Sequence, residues 1–421
     1  MLQLLHELNQ LLAILFFFCY AYQFVYSLVA LCPSVPLPEG KVHRFAVLVA
    51  ARNEAGVIAR LIDSIHQQDY PAGMLDVYVV ADNCTDNTAQ VAREAGARVW
   101  ERFDRSQVGK GYALRWLFEQ MKAQPDCPAY DGYLIFDADN LLDPGYMAAI
   151  NRTFSAGYRI VTSYRSSKNY GDNWISAGYS LWFLREARFL NHPRMLLGTS
   201  CAVSGTGFLV HHEIIEKNGG WKHFLLTEDI EFTVDSILHG ERVGYCHDAI
   251  FYDEQPTQFS QSWWQRLRWT KGGFQVFGQY GTRMAERIVR PGCSFWNRFS
   301  CLDMLLNMMP AAVLTMLSLI VNTAALVVSL LTPGMQLWAV LMPVFRSMAG
   351  GYGLLLLMGG LVLATEWKRI PCPVGKRLLY LLAFPLFMYT YIPISVAALF
   401  QKVEWRPIRH SVAKSLEQLR P

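Results

Sequence analysis

Tyr133-Leu134-Ile135-Phe136-Asp137-Ala138-Asp139 decides how this chain is read. Residues 133–136 are bulky and apolar and predict a buried strand, and two acids separated by one small residue follow at its carboxyl end. Towards the N-terminus the same grammar repeats. Residues 45–51 read as a buried strand, 56–67 have helical spacing, 75–81 form a second strand, 87–95 a helix closed by Gly96, 97–101 a third strand and 110–122 a further helix. Such alternation predicts an α/β domain with a mostly parallel sheet and helices on both faces, in which ligands bind beyond the carboxyl ends of the strands. Asn53-Glu54, Asp82 and Asp137 to Asp139 all fall at such ends, which makes them one candidate site.

The residue types there suit a phosphorylated ligand. Strand alternation would turn Asp137 and Asp139 to one side, where they repel unless a hard cation lies between them and a ligand. Asp82 can accept from a base imide or a ribose hydroxyl, and Glu54 can do likewise, whereas Asn83 and Asp86 read as turn and cap residues. Lys110, between Gly109 and Gly111 at a helix start, is placed for phosphate contact. Thr227-Glu228-Asp229-Ile230-Glu231 opens an amphipathic stretch whose acids are also ordinary helix-dipole partners. Transfer to a hydroxyl needs a base, and Asp229 is the candidate, with Glu228 as a capping neighbour. His211, His212 and His247 read as structural. In Gln265-Arg266-Leu267-Arg268-Trp269, Arg268 could clamp a diphosphate and Trp269 could stack on a ring, while Trp263 and Trp264 fit a water–lipid belt. Gly205, Thr206 and Gly207 form a small-residue turn where an acceptor can approach the backbone, and a plain tight turn reads equally well.

Of the 421 residues, 52% are hydrophobic and 17% charged, and the apolar excess gathers at the two ends. Residues 11–31 carry no charge and are long enough to cross a bilayer core of about 30 Å, so they read as a retained anchor rather than a cleaved leader. Three more spans are expected at 304–331, 335–365 and 378–401, the first two joined by Thr332-Pro333-Gly334. Lys368, Arg369, Lys376 and Arg377 lie between the last two, which places that loop and the large domain in the cytosol. Lys402, Arg406, Arg409, Lys414 and Arg420 favour the same side, yet three crossings would leave them on the other. Pro385 and Pro393 offer a way out by breaking the last span into a re-entrant pair. The expected division is an anchor and linker at 1–40, a cytosolic domain with an interfacial helix at 41–285, an interfacial segment and membrane helices at 286–401, and a basic tail at 402–421. Nine scattered Cys without a Cys-x-x-Cys pair argue against a disulfide framework or a structural zinc site. A net charge of +4 fits anionic headgroups and a polyanionic leaving group better than nucleic acid.

Taken in order, Asp137-Ala138-Asp139, Thr227-Glu228-Asp229 and Gln265-Arg266-Leu267-Arg268-Trp269 resemble the inverting family 2 glycosyltransferases, in particular the membrane-integrated cellulose, hyaluronan and poly-N-acetylglucosamine synthases. The resemblance covers roughly residues 45–273. It implies a GT-A (Rossmann-like) domain between N- and C-terminal transmembrane helices, a UDP-sugar donor, and a Mg or Mn ion on Asp137 and Asp139. It further implies nucleotide binding by Asp82, a catalytic base at Asp229, and an interfacial helix whose Gln265, Arg268 and Trp269 lie near the diphosphate and acceptor. Asn53, Glu54, Lys110, Asp137 and Arg268 complete the expected donor site, and Gly205, Thr206, Gly207, Gln265 and Trp269 the acceptor site. The implied activity is metal-dependent hexosyl or N-acetylhexosaminyl transfer onto a growing β-linked glycan; the alternative is a single addition to a polyprenyl or glycerolipid acceptor. Ala50-Ala51-Arg52-Asn53-Glu54 departs from the family's Pro before Asn-Glu, and Asn83 stands where a second acid is usual. One span before the domain and about three after it are few for a channel, so a second copy or an accessory membrane subunit is a candidate partner. A Tyr-rich first span and a basic tail fit a multi-pass protein of a bacterial plasma membrane.

Overall fold

The computed structural model describes residues 2–332, 338–404 and 416–419. The apolar runs become β1 (Phe45–Ala51), β2 (Leu75–Asp82), β3 (Arg98–Arg102) and β4 (Gly132–Asp137). Adding β5 (Leu141–Leu142), β6 (Ile160–Ser167), β7 (Phe208–His211) and β8 (Val243–Asp253) gives an eight-stranded sheet of order β3-β2-β1-β4-β7-β6-β8-β5. The first four strands are parallel, as expected. β7 then runs against both β4 and β6, and β5 against β8, so the second half is mixed. An apolar run reports burial and not direction, so this reversal had no sequence signal.

Alternate residues of β1 feed two cores. Ala46 and Leu48 meet Leu114 and Leu117 of the helix Lys110–Ala123, while Phe45, Val47 and Val49 meet Leu61, Ile62 and Ile65 of the helix Ile58–His66. Burial on both faces is why the strand reads as a continuous apolar run. Each fully buried Val, Leu, Ile or Phe side chain among them stabilises the fold by about 1.5–3 kcal/mol.

Among the described residues, four stretches are long and apolar enough to cross a membrane: Gln3–Val29, Phe295–Leu331, Leu341–Thr365 and Val374–Phe400. The first begins well before residue 11 because its polar side chains are paired across helices. Asn9 donates to Asn322 at 2.7 Å, and Tyr20 donates to the carbonyl of Leu306 at 3.0 Å. A buried joint fastens this anchor to the domain: Arg194 grips both oxygens of Asp303, at 2.7 and 3.1 Å, and Tyr22 and Tyr26 donate to the same carboxylate. Thr332 ends the helix Pro310–Leu331, while Pro333, Gly334 and Met335 lie outside the described residues.

The last span is not the re-entrant pair its prolines suggested: Thr390 keeps right-handed helical backbone, and the Ile394 amide reaches the Thr390 carbonyl at 3.4 Å, so the interruption is a single residue. It consists of Val374–Tyr389 and Tyr391–Phe400 with Thr390 between them. Pro393, in the first turn of the second piece, has no N–H with which to continue the ladder. The second piece lies against the helix Phe259–Val289, where Leu267 packs on Ile394 and Ala398 and Lys271 donates to the Ala398 carbonyl at 2.9 Å. Beyond it, Leu419 is buried against Leu141 and Tyr252 of the sheet. Residues 416–419 therefore sit beside the sheet domain. Of the tail cations Lys402 is described, and Arg406, Arg409, Lys414 and Arg420 are outside the described residues. The loop before this span also docks on the sheet domain: Tyr164 donates to Glu366 at 2.7 Å, and Arg369 lies 4.4 Å from the Tyr164 ring centre.

Candidate active site

At the ends of β1 and β2, two asparagines adopt left-handed backbone, Asn53 at φ 59° and Asn83 at φ 53°. Asn tolerates that conformation better than other side chains except Gly, which explains Asn83 where an acid was expected. Asn53 Oδ1 accepts from the Thr85 amide at 2.8 Å and the Glu54 amide donates to Thr88 Oγ1 at 2.8 Å, so the two loops are stitched together. Asp82 is buried, and burial pushes its carboxyl up against the opposing pull of Arg102. Arg102 Nη1 donates to Asp82 Oδ1 at 2.7 Å, a partner that no local motif marks out.

Asp137 and Asp139 do not share one environment. Asp137, the last residue of β4, is 39% exposed and ion-paired with Lys110, whose ammonium also donates to the Gly205 carbonyl at 2.8 Å. Asp139 is 2% exposed and accepts from the Glu254 amide at 3.1 Å. Alternation fails because the strand stops at Asp137 and a turn follows. Asp253, at the end of β8, joins this acidic corner: Asn140 Nδ2 donates to it at 3.1 Å, and burial, with Asp139 adding to it, pushes its carboxyl up to about 6. Arg165 donates to Asp253 and Lys168 to the Asp139 carbonyl. A corner of hard oxygens, with Asp137 open to solvent, fits a divalent cation.

The Thr227-Glu228-Asp229 segment is brought to the same corner by the loop before it. Glu231 Oε2 accepts from the amides of Phe224 and Leu225 at 2.8 and 2.9 Å, and Arg268 Nη1 donates to the Leu226 carbonyl at 2.8 Å. Two glycines allow the approach: a Cβ on Gly111 would lie 2.1 Å from the His223 carbonyl oxygen, and one on Gly272 would lie 2.5 Å from the Thr227 side chain. Asp229 then stands in the first turn of the helix Glu228–Leu238, and a Cβ on Gly205 would be 3.8 Å from its Oδ2. Burial raises the Asp229 carboxyl, with Arg268 and Lys110 opposing, and burial plus the Asp229 charge pushes Glu228 up to about 7.

Lys110, Asp137, Gly205, Asp229 and Arg268 thus converge. Thr206 is buried, accepting from the Asp137 amide at 2.8 Å and donating to Asn140 at 2.5 Å, so it holds the turn instead of facing outward. Gly207 looks elsewhere, because its missing Cβ would lie 2.3 Å from the Phe251 ring. Trp269 packs edge-to-face on Tyr179 and Phe183 at 5.7 and 6.0 Å, and Gln265 Oε1 is buried without a partner. The adjacent Arg266 points the other way, into the break of the last span, donating to the Phe387 carbonyl at 3.2 Å and Thr390 Oγ1 at 2.5 Å. Of the histidines, His247 is pushed down to about 3 by burial and Arg369, while His211 accepts from the Glu213 amide and, among the described residues, lies with His212 and Glu213 in a group whose ligand atoms are within 4.8 Å of one another.

A family model described as glycosyltransferase like family 2 matches residues 43–272. The beta-monoglucosyldiacylglycerol synthase of Synechocystis sp. is 26% identical over 253 residues, 59% of this chain and 50% of that protein. The poly-beta-1,6-N-acetyl-D-glucosamine synthase of Staphylococcus epidermidis is 22% identical over 238 residues, covering 56% of each. The chain spans about half the length of these curated relatives. A mannosyltransferase from Pyrobaculum calidifontis, solved with GDP-Man and Mn2+, has the same fold, with a TM-score of 0.62 at 18% identity over 94% of this chain and 99% of that one. With more than half of its residues inside the family match and the strand-end acids in the expected order, this chain belongs to the glycosyltransferase family 2-like proteins and has the GT-A fold.

Proposed function

We propose that this chain is a membrane-seated inverting glycosyltransferase that moves a sugar from a UDP-sugar onto a hydroxyl. The observation that carries the reading is Asp229 beside Gly205, with the charges of Arg268 and Lys110 close enough to act on its carboxyl. Asp229 takes the acceptor proton as the acceptor oxygen attacks the anomeric carbon. The sugar–phosphate bond breaks on the opposite side, so an α-linked donor gives a β-linked product. Lys110 and Arg268 stabilise the departing diphosphate, Asn53, Glu54 and Asp82 hold the nucleoside, and Gly205 leaves room for the acceptor. Asp137 and Asp139 would hold Mg or Mn, which neutralises charge on the diphosphate when bound. The catalytic unit is residues 41–285, on the cytosolic face of a bacterial plasma membrane.

Two acceptors suit this chemistry, a growing glycan and a membrane lipid. Trp269 packs edge-to-face on Tyr179 and Phe183, in one apolar cluster with Phe387. Release of UDP by the purified full chain, with Mg or Mn, across UDP-sugars and with diacylglycerol or short β-linked oligosaccharides as acceptors, tests the reading. A lipid carrying one sugar supports the second acceptor and a polymeric product the first. Absence of both nucleotide binding and transfer refutes the reading.

A further inference from the structure

The helix Trp174–Arg185 runs without interruption into a π-helical turn, Glu186–Asn191, before the helix His192–Leu197 resumes. A π-turn inserts a residue and re-aims the side chains around it, and such turns recur at functional sites. Here the re-aimed acid is Glu186. Its Oε2 accepts from Ser204 Oγ at 3.3 Å, and the residue after Ser204 is Gly205, which faces Asp229. Arg165, Phe183, Glu186, Ser204 and Thr206 border a cavity of about 10 Å³. That is roughly the room one water-sized group requires.

The neighbouring cations are committed elsewhere. Arg165 donates to Asp253 and to the Ser204 carbonyl and stacks 3.7 Å from the Phe183 ring centre, and Arg194 holds Asp303. Burial pushes the Glu186 carboxyl up, Arg165, Arg194 and Ser204 pull it down, and the Asp229 charge reaches it as well. Besides the Arg165 bond to the Ser204 carbonyl, the Ser204–Gly205–Thr206 turn is tied to the donor side, from Lys110 to the Gly205 carbonyl and between Thr206, the Asp137 amide and Asn140.

We propose that Glu186 is a positioning residue for the acceptor: through Ser204 it fixes the turn that sets the distance between the incoming hydroxyl and Asp229. The inference rests on the function proposed above. It predicts a selective defect, because the ties to the donor side remain when Glu186 is lost.

The test uses the full chain in detergent–lipid micelles, with UDP-sugar and diacylglycerol or a short β-linked oligosaccharide varied in turn, and donor hydrolysis measured without acceptor. Glu186→Ala and Ser204→Ala should each raise the acceptor KM about tenfold, while donor KM and hydrolysis stay within about twofold. Glu186→Gln, which still accepts from Ser204, should recover most of the loss. An unchanged acceptor KM overturns the proposal. So does a parallel loss of donor affinity, hydrolysis and Tm, which marks a purely structural role. A wild-type chain that binds UDP-sugar but transfers to nothing refutes the functional reading itself, an outcome distinct from a failure of Glu186 alone.

Discussion

The donor and acceptor halves of the site are built differently. On the donor side, polar groups are tied to one another: Asp82 to Arg102, Asp137 to Lys110, and Asn53 to the Thr85 amide. Around the helix Phe259–Val289, buried polar atoms are left over: Thr227 Oγ1, Ser262 Oγ and Gln265 Oε1. A buried unpaired polar atom costs about 1–3 kcal/mol, so the second half stores what the first has already settled. The proposed donor half is tied together in advance, and the proposed acceptor half keeps unpaired polar atoms.

The sharpest way to break this division is Asp229→Asn. Transfer should fall by about two to four orders of magnitude, with UDP affinity by calorimetry almost unchanged. A matching loss of UDP affinity would mean the halves are not separable. Arg102→Ala should strike the other side, leaving buried Asp82 without its guanidinium at a cost of about 3–5 kcal/mol, read as a fall in Tm and loss of UDP binding. Arg266→Leu should cost less, about 1.5–3 kcal/mol for hydrogen bonds to a charged group. Its mark should be faster hydrogen exchange at 390–403 with UDP affinity retained, and lost UDP affinity would tie the hinge to the donor half.

The smallest effect concerns pH. Burial, with Asp229 adding to it, raises Glu228 to about 7, so the fold favours its neutral form. The associated stability is complete at acid pH, below the ordinary carboxylate range, and is lost as pH rises through about 7. Glu228→Gln should therefore match the wild-type Tm near pH 5 and exceed it near pH 8. Equal melting curves at both values would show that Glu228 ionises without penalty.

Much of the donor half was legible because it depends on short-range signals. β1 spans the expected residues, and Lys110 begins its helix as Gly109-Lys110-Gly111 suggested. What stayed hidden depends on contacts distant in the chain or on backbone geometry. Arg102 pairs with Asp82 across twenty positions, Asp253 joins Asp139 from the far side of the sheet, and the π-turn at Glu186 lies inside an ordinary-looking helical stretch. The edge-to-face packing of Trp269 on Tyr179 and Phe183 was equally invisible, because those partners lie on a helix more than eighty positions away in the chain.

The break at Thr390 has a consequence for the surrounding lipid. The piece Val374–Tyr389 has 16 residues, an axial length of about 24 Å at 1.5 Å per residue, short of a hydrocarbon core of about 30 Å. Its continuation, Tyr391–Phe400, carries the apolar stretch to 27 residues and lies against the helix that carries Arg268. The span reaches across only as a two-piece unit, so the bilayer thickness that suits it is set in part by how the second piece docks on that helix.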